Sequence, residues 1–534
     1  MDTSQHTRTR FSGWIAVAVA AGLSVMFASA TSAGQLPASP APDAAAARQR
    51  PAGGPLLELS MEKAVEMGLD ANLGLQADRL SLESAAHAVT AARSAFMPII
   101  GSSVSRSSSV SVPNDFTQGS SDITRQGLDV RNSLSQVLPV FGTRYDVSLS
   151  NSRNSQIGGN PLFNPFLSSG LSFNVTQPLW RGFMTDQNRV TLQTSRRRRD
   201  VVDIQLQQQV VRLETEIRSG YLDLLSALEG LNVARQNMDI RQKSLADARA
   251  RVAVGAAAPV ELISAEADVA SNQEQVLLAE ALIATREDGL RTLILDPTRS
   301  DFWQVRIVPT DTLRPQQPAI DLDAAIKQAL DHRLDLAVTR HELEISDLAL
   351  KAARNATHPA VDLRVNYGTS GTGGTRLTYG DGFPPPVVGR SDKGFGSVLS
   401  DTFGSVYPQW TAGVNVSYPV GHSAAEAALA QQAVSQRQSQ IHLRELEVSI
   451  VQQVRDAARQ VENSYQRVLA TQAALRASEQ QLDAEQRRFT TGLSTTLELQ
   501  VRQGQLASAR TAELNAVIAH NRALINFERI QKTQ

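Results

Sequence analysis

Two carboxylates stand in matching places in this 534-residue chain: Glu261 follows Gly255 by six residues in VGAAAPVELISAE, and Glu498 follows Gly492 by six in TGLSTTLELQ. An acid in the first turn of a helix is favoured by the macrodipole. Gathered around an opening, such acids would also set up a field that favours cations over anions. The other reactive residue types are scattered. The eight His show no metal-ligand spacing, and His341-Glu342 lacks the second His of a zinc-protease helix. Residues 371–374 (GTGG) read as a loop without the Lys of a phosphate-binding loop. With no Cys, the chain has no disulfide, thiolate metal site, Cys nucleophile or lipidated N-terminal Cys. No catalytic constellation, metal site or cofactor motif emerges, so an enzyme is not expected. Charge is nearly balanced, 52 Lys+Arg against 53 Asp+Glu, which speaks against nucleic acid as a partner. The run Arg196, Arg197, Arg198 and Arg199 reads instead as a solvated collar early in a long helix.

The elements that would position the two acids follow from periodicity. Ile217, Leu224, Leu231, Met238, Leu245 and Val252 recur at every seventh position, the seam of a coiled coil. The same seam returns 237 positions on as Val454, Val461, Val468, Leu475, Leu482 and Phe489, so the chain is a tandem repeat. Each seam runs to the turn glycine, Gly255 or Gly492, where a helix C-cap with φ > 0 is expected. The long helices are predicted over 184–254 and 424–491, each on the order of 100 Å. Returning helices of about half that length follow. Leu262, Val269, Val276, Ile283 and Leu290 keep the heptad in the first, while the second steps eleven residues from Leu506 to Val517, a stutter. A shorter helical unit precedes each copy, and these two units align at an offset of 261, with Leu75 matching Leu336 and Pro98 matching Pro359.

Between the short and long helices the pattern changes to period two. Val361, Leu363, Val365 and Tyr367 alternate with polar residues, as do Val414, Val416 and Tyr418, and in the first copy Leu171, Phe173 and Val175. Weaker candidates near 100–112, 128–138 and 145–149 predict an extra hairpin in the first copy. Pro98, Pro178, Pro359 and Pro419 mark four helix–strand joints, where fixed φ and a missing N–H end one element and bend the path into the next. Residues 1–33 read as a signal peptide, with an apolar run too short for the ~20 residues of a spanning helix. Residues 34–56 are Ala/Pro-rich and expected to be disordered. The first structural repeat is placed at 57–315 and the second at 316–534. No later stretch can span a membrane as a helix, so any crossing falls to strands, and the few strands of one chain must be pooled between copies.

A signal sequence, two copies of helix, strands, long helix, turn and half helix, and the segments NVTQPLWRGF and NVSYPVGH leading from strand to long helix together resemble the TolC family of outer membrane efflux proteins. The resemblance implies a fold that is mainly α with a small β part. Duplicated helical hairpins would form a periplasmic α-barrel, and the strands would join a trimeric transmembrane β-barrel in the outer membrane of a Gram-negative bacterium. It implies a homotrimer in outer-membrane lipid acting as a passive exit duct of a tripartite efflux pump or type I secretion system, opened when an inner-membrane transporter and a periplasmic adaptor (membrane fusion) protein dock. It makes Gly255, Ala256, Ala257, Gly492, Leu493 and Ser494 the adaptor contact, and places Glu261, Glu498, Phe489 and Val501 at the periplasmic gate. Glu498 matches an aspartate of the family's constriction. Val501 stands where a second aspartate is expected, and Phe489 and Ser494 where the best-known members have the Tyr and Arg that hold the end shut. Closure here is therefore expected to rest on packing. The alternative is a periplasmic coiled-coil scaffold or adaptor, against which the alternating segments argue.

Overall fold

A computed structural model describes residues 55–113, 122–312, 315, 319–382, 385–418, 420–421 and 423–532. The expected signal peptide, the Ala/Pro-rich residues up to 54, and Pro419 lie outside the described residues. In chain order the elements are β1 (Leu56–Leu59), α1 (Met61–Ala71), α2 (Leu73–Ser94), β2 (Ile99–Ser111), β3 (Ile123–Val137), β4 (Arg144–Ile157), β5 (Phe163–Pro178), α3 (Gln187–Ala253), α4 (Pro259–Ile294), β6 (Arg306–Pro309), α5 (Leu322–His332), α6 (Leu334–Ala356), β7 (Ala360–Tyr379), β8 (Val387–Lys393), α7 (Phe395–Phe403), β9 (Tyr407–Ser417), α8 (Ala424–Thr490) and α9 (Thr496–Lys532).

The period-seven seams become helix contacts. α3 and α8 are 67 residues each and pair with α4 and α9, of 36 and 37 residues. In α3 the seam residues Ile217, Leu224 and Leu231 are buried, and in α8 so are their equivalents Val454, Val461 and Val468. Above the half-length partners, α2 packs on α3 and α6 on α8. Each short unit is split into two helices, a break the alignment of the copies did not reveal. Asn72 takes extended angles and caps α2 through Leu75 N–H at 3.1 Å, and Arg333 takes the equivalent place before α6. Just past the stutter in α9, His520 is fully buried with Nδ1 3.0 Å from Ser464 Oγ of α8, a polar pair within an apolar seam.

Leu56, expected within the disordered segment, opens β1, which pairs in parallel with β6. This pair clasps the two ends of the first repeat. Tyr221 Oη lies 2.9 Å from the Leu59 carbonyl and 2.8 Å from Asp311 Oδ2. Burial pushes the phenol up to about 12, so it stays protonated and hydrogen-bonded at neutral pH.

The other strands form one antiparallel sheet in the order β2-β3-β4-β5-β7, with β9 and β8 sharing the far side of β7. The expected extra hairpin is there: the first copy supplies four long strands. The second copy differs from the sequence reading, because residues 371–374 are not a loop but the middle of the 20-residue β7. The register gives the sheet two unlike faces. One row across it reads Ile100, Leu134, Val147, Phe173, Tyr367 and Trp410; the next, on the other face, reads Gly101, Ser133, Ser148, Ser172, Gly368 and Gln409. The apolar face is largely uncovered, with Trp410 74% and Val416 63% exposed.

α7 lies on that apolar face. Thr369 Oγ1 donates to the Thr402 carbonyl, and Thr402 Oγ1 lies 3.3 Å from the Ser169 carbonyl. The glycines make the seat: a Cβ on Gly371 would stand 2.2 Å from the Val398 carbonyl oxygen, and one on Gly373 would stand 2.5 Å from Val398 Cγ2. The GTGG motif is thus a docking floor for a helix.

Candidate functional site at the hairpin turns and strand joints

Both hairpins turn on glycine in the left-handed region, Gly255 at φ 71° and Gly492 at φ 73°. The Gly492 N–H donates to the Phe489 carbonyl at 3.1 Å and Leu493 N–H to the Arg488 carbonyl at 2.8 Å, while Gly255 repeats the first of these to Val252 at 3.0 Å. Proline at 492 would have the wrong φ and no donor, so it would damage the turn rather than merely decorate it. Ala256, Gly492 and Leu493 are exposed, and Ala257 and Ser494 are half-buried.

The two matched acids do different work. In the second copy Glu498 forms a capping box with Thr495. The Thr495 N–H donates to Glu498 Oε2 at 3.3 Å, Thr495 Oγ1 accepts from Glu498 N–H at 3.3 Å, and Ser494 Oγ donates to the same carboxylate at 3.0 Å. The Thr495 backbone N–H, then the Ser494 hydroxyl, hold the carboxyl below the usual range. A lowered folded pKa means that this cap is intact at neutral pH and is lost only as acid protonates the carboxylate. In the first copy the equivalent cap position is Ala258, which has no hydroxyl. Glu261 is therefore left to reach the other repeat, where its Oε2 accepts from Thr496 Oγ1 at 3.1 Å.

That bond is one of several linking the turns of the two repeats. The Arg251 guanidinium lies over the Phe489 ring at 5.0 Å. Arg241 Nη1 and Ser244 Oγ each lie 3.4 Å from Gln503 Oε1. Within the second repeat, Ser494 Oγ also lies against Glu485, a buried carboxylate beside Arg488, so its one hydroxyl hydrogen is shared between two carboxylates. Phe489 is thus held by a cation and Glu261 by a hydroxyl. Val501 stands outside this set, half exposed and apolar. Sequence reasoning missed Arg251, Thr496, Gln503 and Arg241. The positional match of Arg251 to Arg488, one residue before the seam ends in each copy's last turn, was the available signal.

At the opposite end, Pro98 lies between α2 and β2, Pro359 between α6 and β7, and Pro178 closes β5 opposite Asp362. Polar ties that the sequence did not announce fix these joints. Arg189 Nη2 donates to the Gly182 and Phe183 carbonyls at 3.0 and 2.7 Å, and Gly182 N–H donates to Asn355 Oδ1 at 3.0 Å. Two stacked aromatic pairs lie at these joints: exposed Trp180 on half-buried His358, and exposed Phe141 on half-buried Phe183. Just beyond, Arg197 pairs with Glu344 of α6 at 3.0 Å, and Arg199 with Asp200 at 2.7 Å, so half of the basic collar is neutralised locally.

Residues 129–294 and 325–530, more than half of the chain, match the family described as outer membrane efflux protein. The chain belongs to that family. As an outer membrane efflux protein it is TolC-like, is located in the outer membrane of a Gram-negative bacterium, and has the family and fold of channels rather than enzymes. Over 147 residues it is 29% identical to the pyoverdine export outer membrane protein OpmQ of Pseudomonas aeruginosa, a match covering 28% of this chain and 30% of that one. The chain therefore spans less than a third of that curated relative. Its fold is similar to a crystal structure of CusC, with TM-score 0.63 and 15% identity over 90% of this chain and 93% of the other. It is equally similar to VceC of Vibrio cholerae, with TM-score 0.62 and 15% identity over 88% and 96%.

Proposed function

We propose that this outer membrane efflux protein is the passive exit duct of a tripartite pump, a homotrimer whose protomers pool strands into one β-barrel continued by a helical barrel across the periplasm. The two-faced sheet with open edges carries this reading. An apolar face beside a polar one suits lipid outside and water inside. The edge strands β2 and β9 have no outer neighbour among the described residues, and lipid does not tolerate such edges. β2 leaves the helical end and β9 returns to it, so β9 of one copy meets β2 of the next in antiparallel fashion. Six strands of 11 to 20 residues are each long enough to cross. Three copies would close about eighteen strands, a size that leaves an aqueous channel. A coiled-coil scaffold would have no use for this sheet. The likeness to OpmQ, named for pyoverdine export, supports small organic cargo over protein secretion.

The turn end is the gate in this reading, narrowed by the Glu261 and Glu498 carboxylates and contacted by the adaptor through Gly255, Ala256, Ala257, Gly492, Leu493 and Ser494. The testing experiment is reconstitution of the purified protein in planar bilayers. A heat-resistant oligomer extracted from outer membranes should give cation-preferring conductance, and the double change Glu261→Gln with Glu498→Gln should remove most of that preference and the block by divalent cations. Recovery as a soluble periplasmic protein, or unchanged selectivity in the variant, would refute the duct or the gate respectively. For docking, Leu493, 73% exposed at the tip, is the clean probe. Leu493→Arg should change stability by no more than ~0.5 kcal/mol, as for other surface substitutions, while export falls to background. Lost export together with lost oligomer would make the residue structural instead.

A further inference from the structure

Beside α7 the apolar face of the sheet holds a cavity of about 440 Å³, walled by Leu128, Val130, Pro165, Leu167 and Phe395 and edged by Asn151 and Arg153. Neither the channel nor its gate uses it. Its polar rim is specific. Arg153 lies opposite Leu128, and Leu128 opposite Arg106, so the two arginines flank one apolar residue in a single register row. Their strands are two spacings apart, roughly 10 Å. Both are exposed, and neither has a hydrogen-bond or ion-pair partner among the described residues. One step nearer the helices, Asn151 Oδ1 lines the cavity and is buried without a hydrogen-bond partner.

The level of this row matters. Arg153 is nine residues beyond Arg144, where β4 leaves the helical end of the sheet. At ~3.4 Å per residue that is roughly 30 Å along the strand, or about 23 Å of height at a tilt of ~40°; the apolar band of an outer-membrane barrel is ~25 Å tall. The guanidinium groups thus reach the outer headgroup layer, while Val130 and Asn151 sit just beneath it, at the depth where acyl chains begin.

We infer that the cavity and the arginine pair bind a phosphorylated acyl lipid of the outer leaflet, with a chain against Leu128, Val130, Leu167 and Phe395 and phosphate oxygens on Arg106 and Arg153. This rests on the reading that the apolar face meets lipid. Arginine suits the task, because its planar fork grips phosphate oxygens in pairs and stays charged at any working pH. The glycine seat at Gly371 and Gly373 explains why α7 comes close enough to the sheet to form the cavity wall, since a larger residue at either position would lift it. Asn151 Oδ1, an unpartnered acceptor, gives a lipid hydroxyl or amide N–H a partner at the boundary between the two parts.

The test is native mass spectrometry of the delipidated full-length oligomer titrated with lipid A, with phosphatidylethanolamine, and with inorganic phosphate. The wild type should retain lipid A through activation that strips phosphatidylethanolamine, and millimolar inorganic phosphate should not displace it. The double change Arg106→Ala with Arg153→Ala, and separately the cavity-filling Leu167→Trp, should each weaken retention about tenfold or more, with the heat-resistant oligomer intact. Equal retention in both variants overturns the site. Displacement by inorganic phosphate, with no effect of Leu167→Trp, overturns the lipid in favour of a bare anion site. Bilayer conductance of the same preparations separates the failures: loss of the lipid effect with normal conductance refutes only this inference, whereas a wild type without conductance refutes the duct.

Discussion

Asp in place of Val468 is expected to cost about 3–5 kcal/mol and to remove the heat-resistant oligomer, because it leaves a buried carboxylate with no partner. Val468 is 0% exposed and packs with Ala516 and Val517 where α8 meets α9. That loss is a large share of the ~5–15 kcal/mol that holds a typical domain together. Leu231, its equivalent in the first repeat, is buried in a larger cluster with Leu224 and Leu228 of its own helix and Ile283 of α4. Asp there should do as much damage by the same mechanism. Val468→Ala removes volume without adding charge and should cost less, about 1–2 kcal/mol on the scale of buried methyl groups. Oligomer yield on unheated gels and the thermal midpoint by circular dichroism measure both series. Normal oligomer from both Asp variants would mean that the seam faces water and that the helix pairing is wrongly assigned.

The second large effect concerns the contacts between the two turns. Removing the Thr496 hydroxyl with Thr496→Val and the Arg251 charge with Arg251→Ala should raise resting conductance in planar bilayers about tenfold or more, with the oligomer intact. A hydrogen bond to a charged group contributes ~1.5–3 kcal/mol and an exposed cation–π contact ~0.5–1 kcal/mol. Each protomer therefore loses on the order of 2–4 kcal/mol of closed-state stabilisation if both contacts part on opening, and each 1.4 kcal/mol shifts a two-state population about tenfold. Thr496→Ser keeps the hydroxyl and should keep the closed state. Phe489→Leu keeps apolar packing but loses the ring face, and should open the channel less than the double change. If the double variant conducts like the wild type, these contacts merely order the turns and closure lies elsewhere, in contacts between protomers.

Much of this protein can be read from its sequence, since two of its governing rules are local. The seam from Ile217 to Val252 and its copy from Val454 to Phe489 fixed the long helices and their returning partners, because period seven is written in consecutive residues whatever packs against them. Alternation did the same for β5, β7 and β9, and the turn glycines announced their positive φ through the end of each seam. The split of each short helical unit was hidden, since Asn72 and Arg333 interrupt one turn without disturbing the apolar pattern on either side.

Only the tertiary structure decided what joins the two copies. Thr496 meets Glu261 across 235 positions, and β1 meets β6 across 250, and no periodicity relates residues so far apart. Identical positions in a repeat also need not act alike: Glu498 turns inward to its own Thr495 while Glu261, preceded by Ala258, reaches across, because one hydroxyl is missing. The GTGG segment shows the same limit from the other side. As a string it looks like a loop, because glycine is rare in strands. Only when α7 lies on β7 does the reason appear, in the space that a Cβ at Gly371 or Gly373 would have filled.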